Sequence, residues 1–186
     1  MSDDSSFYSR PWSQEQFYLQ PPIPTTGKMP FMVNIDSEEA LKRYHATNTP
    51  LNPYFYPASC VYNSQYNYGY YDSANRRGLF VYKLDNGENV RVTRFDNNFV
   101  LLCDQENLLE WRPYQHGDLE SQRVFRVPTH RNGKYVYFGR VRQGKINLVG
   151  QVCEDGICYV PTLLYGVIRV SDFETLMYRD VQQCSF

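Results

Sequence analysis

Two cysteines with four residues between them, in C-E-D-G-I-C from Cys153 to Cys158, are the first candidates for chemistry. Thiolates can hold a metal, but this spacing is loose for a zinc knuckle. No second C-x-x-C or H-x-x-x-H stands nearby. Asp155-Gly156 between them suits a two-residue hairpin turn, which would make the two thiols near cross-strand neighbours that an oxidant could join. Buried thiols acting as small apolar fillers are the favoured alternative. The three histidines, His45, His116 and His130, are scattered. His45 ends a helical stretch, where the helix dipole accounts for it, and the other two lie in turn-like segments. No Cys–His or Ser–His motif accompanies them. The chain therefore reads as a non-enzyme, with no metal site and no cofactor.

Arg76, Arg77, Arg131, Arg140, Arg142 and Lys145 gather with Tyr82, Tyr135 and Tyr137 around two similar hairpins. Basic plus aromatic suits an anionic glycan or a single-stranded nucleic acid. Across the chain, however, 19 Lys and Arg face 20 Asp and Glu, a formal net charge of −1. A charge-mixed, solvated sheet face is the expectation, and nucleic acid is not an expected partner.

The elements that must position these residues are short. The chain has 186 residues and 42% hydrophobic content, enough for one domain or two small ones. Its 17 Tyr and 11 Phe suit β-sheet faces and contact surfaces, because Tyr buries area while keeping a hydroxyl for a partner. The helical signal lies in D-S-E-E-A-L-K-R-Y-H, residues 36–45. Asp36 is placed to cap it, Glu39 fits a capping box, and Lys42, Arg43 and His45 follow the acids. Residues 36–54 then read as a short helix and linker. From residue 55 the pattern is β-rich, with strands expected at 58–63, 66–72, 78–84, 89–95, 98–104, 108–113, 123–128, 134–142, 146–152, 157–161, 166–170 and 173–179. Gly, Asn and Asp punctuate them. Twelve short strands at this spacing predict an all-β sandwich or barrel-like domain over 55–186.

Residues 1–35 read as an extended arm. Pro11, Pro21, Pro22, Pro24 and Pro30 break helix and strand, yet Trp12, Phe17 and Tyr18 are too apolar for a solvated tail. Such an arm wants a groove, its own or a neighbour's. The segment N-S-Q-Y-N-Y-G-Y-Y-D, with Tyr66 and Tyr68, is rich in adaptable hydrogen-bonding groups. Together they support self-assembly into a homo-oligomer, and the composition is similar to that of insect-virus polyhedrins. The N-terminus has no signal-peptide pattern, and no apolar run reaches a membrane span. Five cysteines without a secretory signal point to reduced thiols in the cytoplasm. Non-classical secretion and intracellular assembly stay open.

The chain also repeats itself. Laying Gly78 on Gly133 superposes R-x-G-x-x-V-Y, with Tyr82 on Tyr137. Farther on, the segment from Phe99 matches the one from Phe173. Two repeats, about 55–104 and 108–179, would each hide a sheet face the other exposes. The second carries a resemblance. Trp111, Gly117, Val124, Gly133, Tyr137, Gly139, Arg140, Gly150, Val152, then C-Y-V-P from Cys158 to Pro161, then Phe173, Glu174 and Leu176 follow the order of the DM-nine repeat family, the lectin-like modules also found in natterin-type toxins. The resemblance implies a non-enzymatic, all-β module of two intertwined repeats that binds glycans, mannose above all. The family's sugar contacts are an acidic residue and a lysine. Here Pro128, Thr129 and His130 stand in the acidic stretch, and Gln151 stands at the lysine. Fold transfers better than ligand in such a case. Arg131, Asn132, Gln151 and Asp155 become the candidate ligand contacts, with Arg140 expected to be structural.

Overall fold

The computed structural model describes residues 29–47, 51–95, 98–128 and 135–180. The all-β expectation holds. Thirteen strands appear among the described residues: β1 (Phe31–Ile35), β2 (Phe55–Tyr62), β3 (Gln65–Asp72), β4 (Arg77–Lys83), β5 (Asn89–Arg94), β6 (Phe99–Cys103), β7 (Leu109–Pro113), β8 (Arg126–Pro128), β9 (Tyr135–Gln143), β10 (Ile146–Val152), β11 (Cys158–Pro161), β12 (Val167–Val170) and β13 (Glu174–Tyr178). Helix α1 (Glu38–Thr47) follows β1, and a 3-10 turn sits at Asp118–Glu120.

Strands β2 to β13 fall where alternation and turn residues place them. Two local readings are corrected. Residues 31–35, read as arm, pair along the whole of β6 as a sheet-edge strand, because Met32 and Ile35 bury there. The helix is capped by Ser37 rather than Asp36. The Ser37 hydroxyl accepts from the Ala40 N–H at 3.2 Å and its carbonyl from the Leu41 N–H at 3.2 Å. Both residue types make good caps, so the sequence did not separate them.

The strands form two antiparallel sheets. The first runs β1-β6-β2-β3-β4-β5. The second runs β7-β13-β9-β10-β11-β12, with β8 pairing β9 off that path. Leaving β8 aside and counting each sheet's strands in chain order, both read first, sixth, second, third, fourth, fifth. The register matches as well. Ala58 pairs with Gly69 on one side and Leu101 on the other. Gly139 pairs with Gly150 and Thr175 in the same way. Gly69 therefore corresponds to Gly150, and Phe99 to Phe173. The glycines answer one steric demand. A Cβ on Gly69 would collide with the Leu79 carbonyl, and one on Gly150 with the Tyr159 carbonyl.

This register keeps the Phe99–Phe173 match and replaces the superposition of Gly78 on Gly133. That superposition would set β4 on β9, which hold different places in their sheets. Tyr82 meets the ring of Tyr62 edge-on at 5.2 Å, whereas Tyr137 donates its hydroxyl to the Leu119 carbonyl at 3.3 Å. R-x-G-x-x-V-Y is a turn followed by a strand, a pattern any hairpin can produce.

The core lies between the sheets. Tyr68, Tyr70, Leu79, Val100 and Leu102 of the first join Phe138, Val149, Leu176 and Val160 of the second. The Tyr68 and Phe138 rings meet edge to face at 5.7 Å. Burying one such large side chain contributes about 1.5–3 kcal/mol. The other face of the first sheet, with Tyr56, Ala58, Phe80 and Leu101, is covered by Ala40 and Tyr44 of α1. Tyr44 donates its hydroxyl to the Leu102 carbonyl at 2.6 Å and pins the helix there. Side chains also tie the second sheet to the segment that leads into β2. Trp111 Nε1 donates to the Leu51 carbonyl at 2.8 Å, and Asn52 Nδ2 to the Asn147 carbonyl at 2.8 Å. No helix among the described residues is long and apolar enough to cross a membrane.

Candidate functional site

The residue at the family's lysine position, Gln151, sits on β10 between Phe138 of β9 and Tyr159 of β11. It is only 8% exposed. Its Nε2 donates to Cys153 Sγ at 3.5 Å. Its Oε1 is buried and has no partner among the described residues. A buried acceptor left unpaired costs about 1–3 kcal/mol, so this oxygen is set to receive a donor that the described residues do not supply.

Beside it the chain turns over residues 153–157. The Gly156 N–H donates to the Cys153 carbonyl at 3.0 Å, and Gly156 takes φ 73°, which its missing side chain permits. Asp155 stiffens the turn. Its Oδ1 accepts from the Ile157 N–H at 3.0 Å and its Oδ2 from the Tyr159 hydroxyl at 2.7 Å. The Arg169 guanidinium lies 5.8 Å over the Tyr159 ring. Burial, and then Asp155, push the Tyr159 hydroxyl above its ordinary pKa. Asp155 is thus engaged twice in holding the turn.

Burial pushes the Cys153 thiol up, while the Gln151 amide and, from the first sheet, the Lys83 charge oppose that shift. Lys83 pairs in register with Asn89. Asn89 Oδ1 is likewise buried without a partner among the described residues. Gln151 thus presents one buried acceptor with no partner among the described residues. Its amide can both receive a hydrogen bond from a neutral polar ligand and donate one to it.

This site is poorly suited to nucleophilic chemistry. Burial pushes the Cys158 thiol far above its ordinary value, and the Cys153 thiol is also raised. The expected cross-strand placement of these two thiols is corrected. Cys158 pairs with Val152, and Cys153 lies opposite Ile157. Cys158 is fully buried, both thiols are free, and the filler reading describes it. Among the described residues no group of three His, Cys, Asp or Glu is placed to hold a metal ion. His45 packs its ring 5.8 Å from Tyr44 and 5.3 Å from Tyr56.

The cations of the paired hairpins are dispersed and engaged. Arg76 pairs with Glu38 at 3.1 Å, Arg77 with Asp72 at 3.4 Å, and Arg140 with Glu174 at 2.6 Å. Of the expected ligand contacts, Gln151 and Asp155 flank one end of β10, while Arg131 and Asn132 lie outside the described residues, as does His130. Of the assembly contacts, Tyr68 is fully buried against the second sheet and cannot meet a neighbour. Tyr66 is half-buried on the core. Trp12, Phe17 and Tyr18 lie outside the described residues.

The residues that carry the DM-nine resemblance contact one another. A Cβ on Gly139 would collide with Cys158 and Val152, and one on Gly150 with Tyr159 and Val160. Arg140 bonds Glu174 and lies 5.1 Å over the Trp111 ring. No family model matches the chain, and no curated protein matches it.

Proposed function

We propose that this chain is a non-catalytic binding protein that takes a hydroxyl-bearing ligand, a glycan, at the sheet junction around Gln151. The observation that carries the reading is the buried Gln151 Oε1, left without a donor among the described residues. Sugar hydroxyls donate and accept at fixed angles, and the Gln151 amide, which can do both, matches that chemistry. Kinship with the DM-nine repeats is part of the same reading. It is supported by the mutual contacts of Gly139, Gly150, Cys158, Tyr159, Arg140, Glu174 and Trp111.

The experiment is a thermal-shift titration of the full chain against mannose and a panel of neutral and anionic oligosaccharides. Ligand at a hundredfold its Kd adds about 2.7 kcal/mol to stability. A shift that Gln151→Ala removes supports the site. No shift with any glycan of the panel sinks it. A second reading, self-assembly through residues 1–35, is supported by β1, which leads the arm off from an open sheet edge. Light scattering on the full chain against a chain lacking residues 1–28 tests it; a size that does not change with the truncation rejects it.

A further inference from the structure

Between β11 and β12 the chain lifts Leu163, Leu164 and Tyr165 into solvent, 48%, 83% and 71% exposed. The fold does not ask for apolar residues there. The corresponding hairpin of the first sheet, between β4 and β5, is Leu84, Asp85, Asn86, Gly87 and Glu88. It closes with the Gly87 N–H on the Leu84 carbonyl at 2.9 Å and the Glu88 N–H on Asn86 Oδ1 at 2.9 Å. The same turn position thus carries a polar tip in one sheet and an apolar one in the other.

The apolar tip is held rigidly. The Thr162 N–H donates to the Gly166 carbonyl at 2.6 Å, and Thr162 Oγ1 to the same carbonyl at 3.1 Å. The Tyr165 N–H donates to Thr162 Oγ1 at 3.0 Å. From β5, Arg91 Nη1 donates to the Thr162 and Leu163 carbonyls, both at 2.6 Å.

Three large side chains of these exposures offer on the order of 400 Å² of mostly apolar surface, as large as the biggest patch on a typical monomer. A stable protein interface needs about 800 Å² from each partner. An area below that size does not by itself make a stable contact between two copies. A soft, apolar layer under a polar one fits better. Leucines enter the acyl boundary, a tyrosine ring favours the headgroup level, and the Arg91 charge at the base suits lipid phosphates.

We propose that Leu163, Leu164 and Tyr165 form an anchor that inserts into the surface of a phospholipid bilayer bearing anionic headgroups, with Arg91 at the phosphate level. The test is co-sedimentation of the full chain with vesicles of phosphatidylcholine alone and with added phosphatidylserine. The full chain binds the mixed vesicles, more strongly than the neutral ones, and Leu164→Asp lowers the partition coefficient at least tenfold. That substitution lies in solvent, so its melting temperature stays that of the unmodified chain. A Leu164→Trp variant shows blue-shifted indole emission on the mixed vesicles. Absence of binding to either vesicle overturns the proposal, and so does binding that Leu164→Asp leaves intact. A dimer in light scattering that Leu164→Asp dissolves, without vesicle binding, assigns the tip to a second copy and overturns it as well. Because no glycan enters these assays, their outcome stands apart from that of the glycan titration.

Discussion

Arg140 on β9 and Glu174 on β13 form a 2.6 Å ion pair, and the same guanidinium lies 5.1 Å over the Trp111 ring of β7. Three neighbouring strands of the second sheet are tied by one side chain. Arg140 is 19% and Glu174 34% exposed, so water screens the pair less than it would a surface pair. Arg140→Ala is expected to cost about 2 kcal/mol, since it leaves a half-buried carboxylate unpaired and uncovers the indole. Arg140→Lys keeps the charge but loses the planar stack and recovers only part of that. Urea unfolding of the three proteins measures it.

Gly69 and Gly150 are expected to behave as a matched pair. Alanine at either forces the strand away from a neighbouring carbonyl oxygen, costing about 3 kcal/mol. Gly87→Ala is the control. Nothing lies within 4 Å of its Cβ position, and only its φ of 87° opposes the side chain, which costs about 1 kcal/mol. Equal and small losses at all three positions would refute the shared register of the two sheets.

Alkaline pH should unfold the chain cooperatively. Burial raises the Tyr70 hydroxyl to about 12, and burial likewise raises Tyr44, Tyr68 and Tyr178. A folded-state pKa above the unfolded value of 10.0 means the native chain holds these protons longer. Their contribution is whole below pH 10.0 and is lost as pH rises through the folded values. Tyrosinate absorbance followed against pH should show one steep step coinciding with loss of circular dichroism. A broad, reversible titration with the fold intact would contradict the burial of these rings.

The thiols should resist both labelling and joining. Cys158 is fully buried, with its pKa raised by that burial, and its strand partner is Val152 rather than Cys153. Mild oxidation of the native chain is expected to leave Cys153 and Cys158 unlinked in peptide mass analysis. Denaturation first should restore ready alkylation of both. A quantitative Cys153–Cys158 disulfide formed in the native state would contradict the register of β10 and β11.

The strands were legible because their signals are local. Asn, Asp and Gly mark nearly every turn, and alternation sets what lies between, so twelve of the thirteen strands could be read from residue order. β1 could not, because Pro30 and the prolines before it argue for an arm, and only pairing with β6, far along the chain, makes Phe31 to Ile35 a strand. The sheet register was half legible. Phe99 and Phe173 align by side chain, whereas Gly69 and Gly150 are matched by a carbonyl that passes over each, which no one-dimensional pattern displays. Gln151 was reachable only through the family resemblance.

Each sheet is built from one unbroken stretch of chain, and the backbone passes from β6 to β7 through residues 104–108. Asp104 fastens that passage by accepting from the Leu108 and Leu109 N–H groups, each at 2.9 Å. A nick at Glu106 severs no strand ladder. The molecule is in this sense two sheets of matching strand order joined in series, the hydrogen-bonded ladders of one complete before those of the other begin.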